Sequence, residues 1–234
     1  MRRIGLLWVA VVAVITVGCS KTQRTEVRGS ERPAGSTAPV GTSGAVRDAK
    51  SDGDFVHDVG IMNMAEIELS RMALNKAARP DIKLFAQMMI NDHGAAGDKL
   101  KSAATGSPID WPGQLDDTHR KTVDDLAKKQ GIEFDRDYVE AIVHGHQDLA
   151  AKMESRLDVQ SLADWNAAAA GRTQSKALPE PKAEMRDVPV RPEKSDNPTA
   201  MKINQWAADT YPVVQKHLDT ARTLENATKK RSTN

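Results

Sequence analysis

The sequence predicts an all-α protein: an antiparallel four-helix bundle with one extra short helix and a disordered insertion before the last helix. Three observations lead there. Apolar residues recur at alternating steps of three and four over four long segments, the period of a helix that buries one face. No segment alternates apolar and polar at every second residue, as a half-buried strand would. The breakers Gly106, Pro108, Pro112, Gly113 and Gly131 fall where the periodicity lapses.

Residues 1–18 read as a signal peptide. Arg2 and Arg3 precede an apolar run from Ile4 to Val17, then Gly18 and Cys19. That run is short for a membrane span, which takes about 20 residues. "TVGC" resembles the lipobox of bacterial lipoproteins, with Thr16 where leucine is favoured, and Cys19 is then the lipidated residue. Cys19 is the single cysteine of the chain. No internal disulfide can form, and sites built from several thiolates are excluded. Residues 19–50, rich in Ser, Thr, Gly and Pro, read as a flexible tether behind the lipid anchor. Ser20 follows Cys19 in place of a retention aspartate. By analogy with lipoprotein sorting, the expected location is the cell envelope, at the periplasmic side of the outer membrane or in the periplasm.

The folded region is expected over 51–228, with a polar tail at 229–234. The first helix runs from about Asp54 to Ala78 with a stripe of Phe55, Val59, Met62, Glu66, Leu69 and Ala73. Pro80 suits the first turn of the second, whose stripe is Ile82, Phe85/Ala86, Met89, His93, Ala96, Leu100 and Ala103. A shorter helix from about Gln114 to Gln130 turns Leu115, Val123 and Leu126 inward, and Gly131 stops it. The next long helix carries Asp135, Val139, Ile142, His146, Leu149 and Met153. Residues 158–198, rich in proline and charge, are expected to be a disordered insertion, with "SLADWNAAAA" near its start a candidate short helix. The last helix, about Thr199 to Ala227, carries Ile203, Ala207, Thr210, Val214, His217, Ala221 and Leu224, with Pro212 inside it.

Each of the four stripes thus carries near its middle a side chain able to bind a metal: Glu66, His93, His146 and His217. In an antiparallel bundle those midpoints come to similar depth. A buried carboxylate without a partner is costly, and buried imidazoles need partners for their ring nitrogens. Four such groups at one depth point to mutual satisfaction, through a metal or through a polar network. Three imidazoles and one carboxylate suit a single divalent transition ion such as zinc, iron or manganese. Asp92 and Asp135 are candidate carboxylates for orienting imidazoles from behind. His57 and His119 read as solvated or boundary histidines. The methionines read as core filler rather than copper ligands.

Other chemistries find no support. Lys and Arg (33) balance Asp and Glu (32), and aromatic residues make up 4 %, so neither a nucleic-acid footprint nor a base-stacking surface is indicated. "GAAGDKL" lacks the spacing and hydroxyl of a phosphate loop. No nucleophile with catalytic partners is visible.

The blocks "AEIELSRMALNKAARPDIKLFAQMMINDHGAAGDKL", "GIEFDRDYVEAIVHGHQDL" and "YPVVQKHLDTA" together resemble the bacterial exported family of unknown function numbered 4142, over about Phe55 to Leu224 outside the insertion. The matching positions are Glu66, Asp92-His93, Phe134-Asp135-Tyr138, His146, Pro212 and His217-Leu218. The resemblance implies a ferritin-like bundle and no established activity. Di-iron members of that fold use Glu-x-x-His pairs, and here no Glu stands three residues before His93, His146 or His217. Three functional expectations follow. The first is an envelope lipoprotein that binds one divalent metal, to buffer it, sense it or use it structurally. The second is a structural or interaction module without metal, its polar network fixing helix register. The third, disfavoured by the missing carboxylates, is a metal-dependent redox enzyme of stress defence. The membrane is the expected partner, through the lipid anchor; nucleic acid is not.

Overall fold

A computed structural model describes residues 42–174 and 188–231, with side chains over 51–170 and 188–229. Six helices make up the described chain: α1 (Thr42–Lys76), α2 (Pro80–Ala103), α3 (Asp117–Ala127), α4 (Gly131–Glu154), α5 (Val159–Gln174) and α6 (Pro198–Arg231). Among the described residues no strand occurs, only two isolated bridges, Ala77 with Gly131 and Leu157 with Pro192. No helix among them is long and apolar enough to cross a membrane. Signal peptide, Cys19 and the first part of the tether lie outside the described residues.

The four long helices α1, α2, α4 and α6 pack on one another, most extensively as α4 on α6 and α1 on α2, then α1 on α4 and α2 on α6. Their apolar stripes form two clusters. One gathers Leu69, Ala73, Ile82, Met89, Phe134, Ile142 and Leu224. The other gathers Phe55, Val59, Leu100, Met153, Ile203 and Trp206. Full burial of a Leu, Ile or Met side chain contributes about 1.5–3 kcal/mol. α2 and α4 run from the first cluster to the second, whereas α1 and α6 run the other way. Neighbouring long helices are therefore antiparallel, and the segment between α2 and α4, which holds α3, returns along the length of the molecule.

Local chemistry fixes the junctions. Pro80 opens α2, where a missing N–H costs nothing. Asp116 caps α3 by accepting the His119 N–H at 2.8 Å. Gly131 takes φ +60° at the start of α4, a conformation that favours glycine.

Three expectations need correction. The tether reading of 19–50 fails at its end, because α1 begins at Thr42. A helix nucleated downstream extends at one hydrogen bond per residue and needs no apolar stripe to do so. The tail reading of 229–234 gives way at its start, since α6 continues to Arg231. The reading of 158–198 as a disordered insertion is also too broad. α5 spans Val159–Gln174, and residues 188–197 pack as extended chain. There the Asp158 N–H donates to Arg191 O, the Glu193 N–H to Arg156 O and the Arg191 N–H to Ser161 Oγ, while Val190 is buried. Proline and charge disfavour regular structure, but an extended backbone can still pair with groups supplied from elsewhere in the chain. Asn197 then starts α6, its Oδ1 accepting the Thr199 N–H at 2.9 Å.

Candidate metal centre

Between the two apolar clusters lies one polar layer. Each long helix contributes to it: Glu66 from α1, His93 from α2, His146 from α4 and His217 from α6, all buried, with His146 at 0 % exposure. The three imidazoles form a near-equilateral triangle, with ring centroids 5.3, 5.5 and 5.6 Å apart. One ring nitrogen from each lies within 4.8 Å of the others. Glu66 stands over this triangle, Oε2 at 3.0 Å from His93 Nε2 and Oε1 at 2.8 Å from His146 Nδ1. All four residues singled out in the sequence therefore converge, because each occupies the middle of a stripe in an antiparallel arrangement.

The hydrogen bonds behind the rings decide the chemistry of the layer. His93 Nδ1–H donates to Asn63 Oδ1 at 3.1 Å. His146 Nδ1–H donates to the Ile142 carbonyl, four residues back on α4, at 3.1 Å. His217 Nε2–H donates to Asp92 Oδ2 at 2.9 Å. An oxygen acceptor behind each imidazole fixes the neutral tautomer, so the lone pair falls on the opposite nitrogen. Those nitrogens are His93 Nε2, His146 Nε2 and His217 Nδ1. Neither His146 Nε2 nor His217 Nδ1 has a hydrogen-bond partner, and both Glu66 oxygens lack a donor. The close approach of His146 Nδ1 to Glu66 is not a hydrogen bond either, since its N–H is directed at Ile142. The layer is thus a buried set of acceptors with no donor among them.

Burial pushes His93 down to about 4, with the nearby Glu66 charge opposing the shift. His217 is also lowered, first by burial, with its bond to Asp92 opposing. Both rings are neutral near pH 7. Burial pushes the Glu66 carboxyl up, whereas positive charge on His146 and His93, present only when those rings are protonated, pulls it below its ordinary range. An ionised carboxylate and neutral imidazoles are the protonation states a metal requires. Two ligands about 2.1 Å from one ion stand about 3.0–3.4 Å apart, which the 3.0 Å from His93 Nε2 to Glu66 Oε2 matches.

Asp92, half-exposed on α2, accepts the His217 Nε2–H. Asp135 makes no such contact. It is fully buried, but its Oδ1 and Oδ2 accept the Ala78 and Arg79 N–H groups, both at 3.0 Å, at the turn between α1 and α2. It lies eleven residues before His146 on the same helix, about 16 Å away at 1.5 Å per residue, and cannot reach an imidazole of the cluster.

Two functional positions escaped the sequence reading. Asn63 precedes Glu66 by one helical turn and fixes His93. Gly145 lies between His144 and His146, and a Cβ there would come within 2.8 Å of Glu66 Oε1. The glycine of this "HGH" on α4 makes room for the Glu66 carboxylate.

A family model covers residues 37–176, more than half of the chain. The chain belongs to the family described as Domain of unknown function (DUF4142). No curated protein and no solved structure matches it. The DUF4142 match includes Glu66, His93 and His146 and ends before α6, which supplies His217.

Proposed function

We propose that this DUF4142 chain binds one divalent transition metal through Glu66, His93, His146 and His217, as a non-enzymatic envelope protein that buffers or senses the ion or is held together by it. The observation that carries the reading is the set of unpartnered groups. His146 Nε2, His217 Nδ1 and both Glu66 oxygens are buried without a hydrogen-bond partner, and each ring is anchored from behind by Asn63, Ile142 O or Asp92. Four acceptors cannot satisfy one another, whereas a dication satisfies all four. Nitrogen-rich donors favour zinc, iron or manganese over the hard cations calcium and magnesium. Ring rotations of about an ångström would draw the nitrogens in to the spacing of about 3.4 Å of a tetrahedral site.

The fold we assign is a ferritin-like antiparallel four-helix bundle. The up-down-down-up run of α1, α2, α4 and α6, with one crossover holding α3, supports it. Without the Glu-x-x-His pairs, the bridging carboxylates of a two-iron site are missing, and binding of a single ion fits better than oxygen chemistry. Attachment to the membrane through a lipidated Cys19, facing the periplasm, completes the proposal.

The test is elemental analysis of the chain purified without chelator and without an affinity-tag metal. About one equivalent of transition metal, lost in the His93→Leu/His217→Leu double variant, is expected. A wild-type chain that arrives free of metal and takes up no zinc, iron or manganese sinks the reading, and leaves a polar network that fixes helix register.

A further inference from the structure

The cluster is buried, so an ion has to cross protein to reach it. Two openings adjoin it. One, of about 20 Å³, reaches His93 and His217 beside Asn63, Asp92 and Thr210, and the rest of its wall is apolar, including Trp206 and Val213. It has room for about one water. Trp206 closes its wall by donating its Nε1–H to Ala96 O at 2.9 Å. The other is a cleft of about 280 Å³ between α1, α3 and α4. Its floor includes Glu66, and its walls carry Thr118, His119, Thr122, His144 and Asp148.

We propose that this second cleft is the path by which a hydrated divalent cation enters and leaves the Glu66–His93–His146–His217 cluster, with His144, Asp148 and His119 as its successive contacts. The inference rests on the metal reading of the cluster. A hydrated dication does not fit an opening with room for one water, and it needs replacement ligands at each step as it sheds its shell. The cleft supplies them. His144 and Asp148 are four residues apart, on one face of α4 and both exposed. His119 faces them from α3, its Nδ1 engaged with Asp116 at 2.7 Å, which leaves Nε2 as the remaining nitrogen. At the bottom, Glu66 has two oxygens without donors. The wall beside it is Gly145, whose missing Cβ leaves the space in which the buried Oε1 sits. Glu66 is thus both the last ligand of the path and the first ligand of the cluster.

Stopped-flow uptake of Co²⁺, followed by its visible absorption, tests this on the full chain. Thr122→Trp narrows the cleft from the exposed face of α3. His144→Ala/Asp148→Ala removes the contacts from the surface of α4 without touching the core. Val213→Trp blocks the other opening. Uptake and chelator-driven release are both expected to slow tenfold or more in Thr122→Trp and severalfold in the double variant. Stoichiometry and Kd should stay unchanged, and Val213→Trp should leave the rates as they are. Wild-type rates in the double variant, or slowing by Val213→Trp alone, overturn the path while the metal reading stands. A wild-type chain that binds no Co²⁺ overturns both.

Discussion

A Cβ on Gly145 would stand 2.8 Å from Glu66 Oε1. Gly145→Ala therefore has opposite effects on helix and site. The helix gains, since alanine is favoured over glycine by about 1 kcal/mol in a helix interior. The carboxylate has to move away from the imidazoles. Helicity by circular dichroism should be unchanged or higher, with metal affinity down about 10–100-fold. Unchanged affinity would mean that Glu66 is not a ligand.

The groups behind the rings should matter nearly as much as the rings. Asn63→Leu removes the acceptor that directs His93 Nε2 toward Glu66, and Asp92→Leu does the same for His217 Nδ1. Losses of about 10–100-fold in metal affinity are usual for such partners. Asp92 is half exposed, so its replacement should leave the stability of the metal-free chain nearly unchanged, which separates orientation of a ligand from support of the fold. Isothermal titration of each variant beside a thermal melt makes the distinction.

Asp135→Ala should do the reverse. The carboxylate accepts two backbone N–H groups at the α1–α2 turn. Its loss leaves Ala78 and Arg79 without acceptors, at a cost of about 2–4 kcal/mol. Metal affinity should not change. A drop in affinity at constant stability would reinstate Asp135 as part of the centre.

The contrast between Asp92 and Asp135 marks how far the sequence could be read. Glu66, His93, His146 and His217 stood out because each breaks an apolar stripe at mid-helix, and in an antiparallel arrangement mid-helix positions share one depth. A carboxylate on a stripe reads the same whether it meets an imidazole or a backbone N–H, so the destination of Asp135 was not legible. Nor was that of Asn63, a single polar residue beside Met62, or of Gly145, whose contribution is the absence of an atom. Residues 188–197 looked unstructured because their partners Arg156, Asp158 and Ser161 lie about 30 residues away, beyond the reach of any local pattern.

Acid should destabilise the metal-free chain in a defined window. His93 falls from 6.5 to about 4 on folding. Between those values the unfolded chain binds the proton and the folded chain does not. Stability is thus lost as pH falls from about 6.5 toward 4, by up to about 3 kcal/mol from this group. His217 shifts in the same direction. Protons also compete with the ion for the same nitrogens, so metal release should fall in the same range. Urea unfolding from pH 7.5 to 4.5, with and without zinc, should show stability flat above about 7 and declining below 6.5. A pH-independent midpoint would contradict neutral buried imidazoles.

Glu66→Leu should separate what the layer costs from what it holds. In the metal-free chain Glu66 is a buried carboxylate without a hydrogen-bond donor. Replacing such a group by an apolar side chain is often neutral or stabilising by about 1–4 kcal/mol. The variant without metal should therefore melt at or above the temperature of the metal-free wild type. Wild type should gain stability from added zinc as RT ln(1 + [L]/Kd), about 2.7 kcal/mol at a hundredfold excess over Kd, and the variant should gain little. The two melting curves should cross as zinc is raised: the variant is the more stable chain without the ion and the less stable one with it. A variant less stable at every zinc concentration would mean that Glu66 serves the fold through the imidazoles alone, with the layer held as a polar network rather than by an ion.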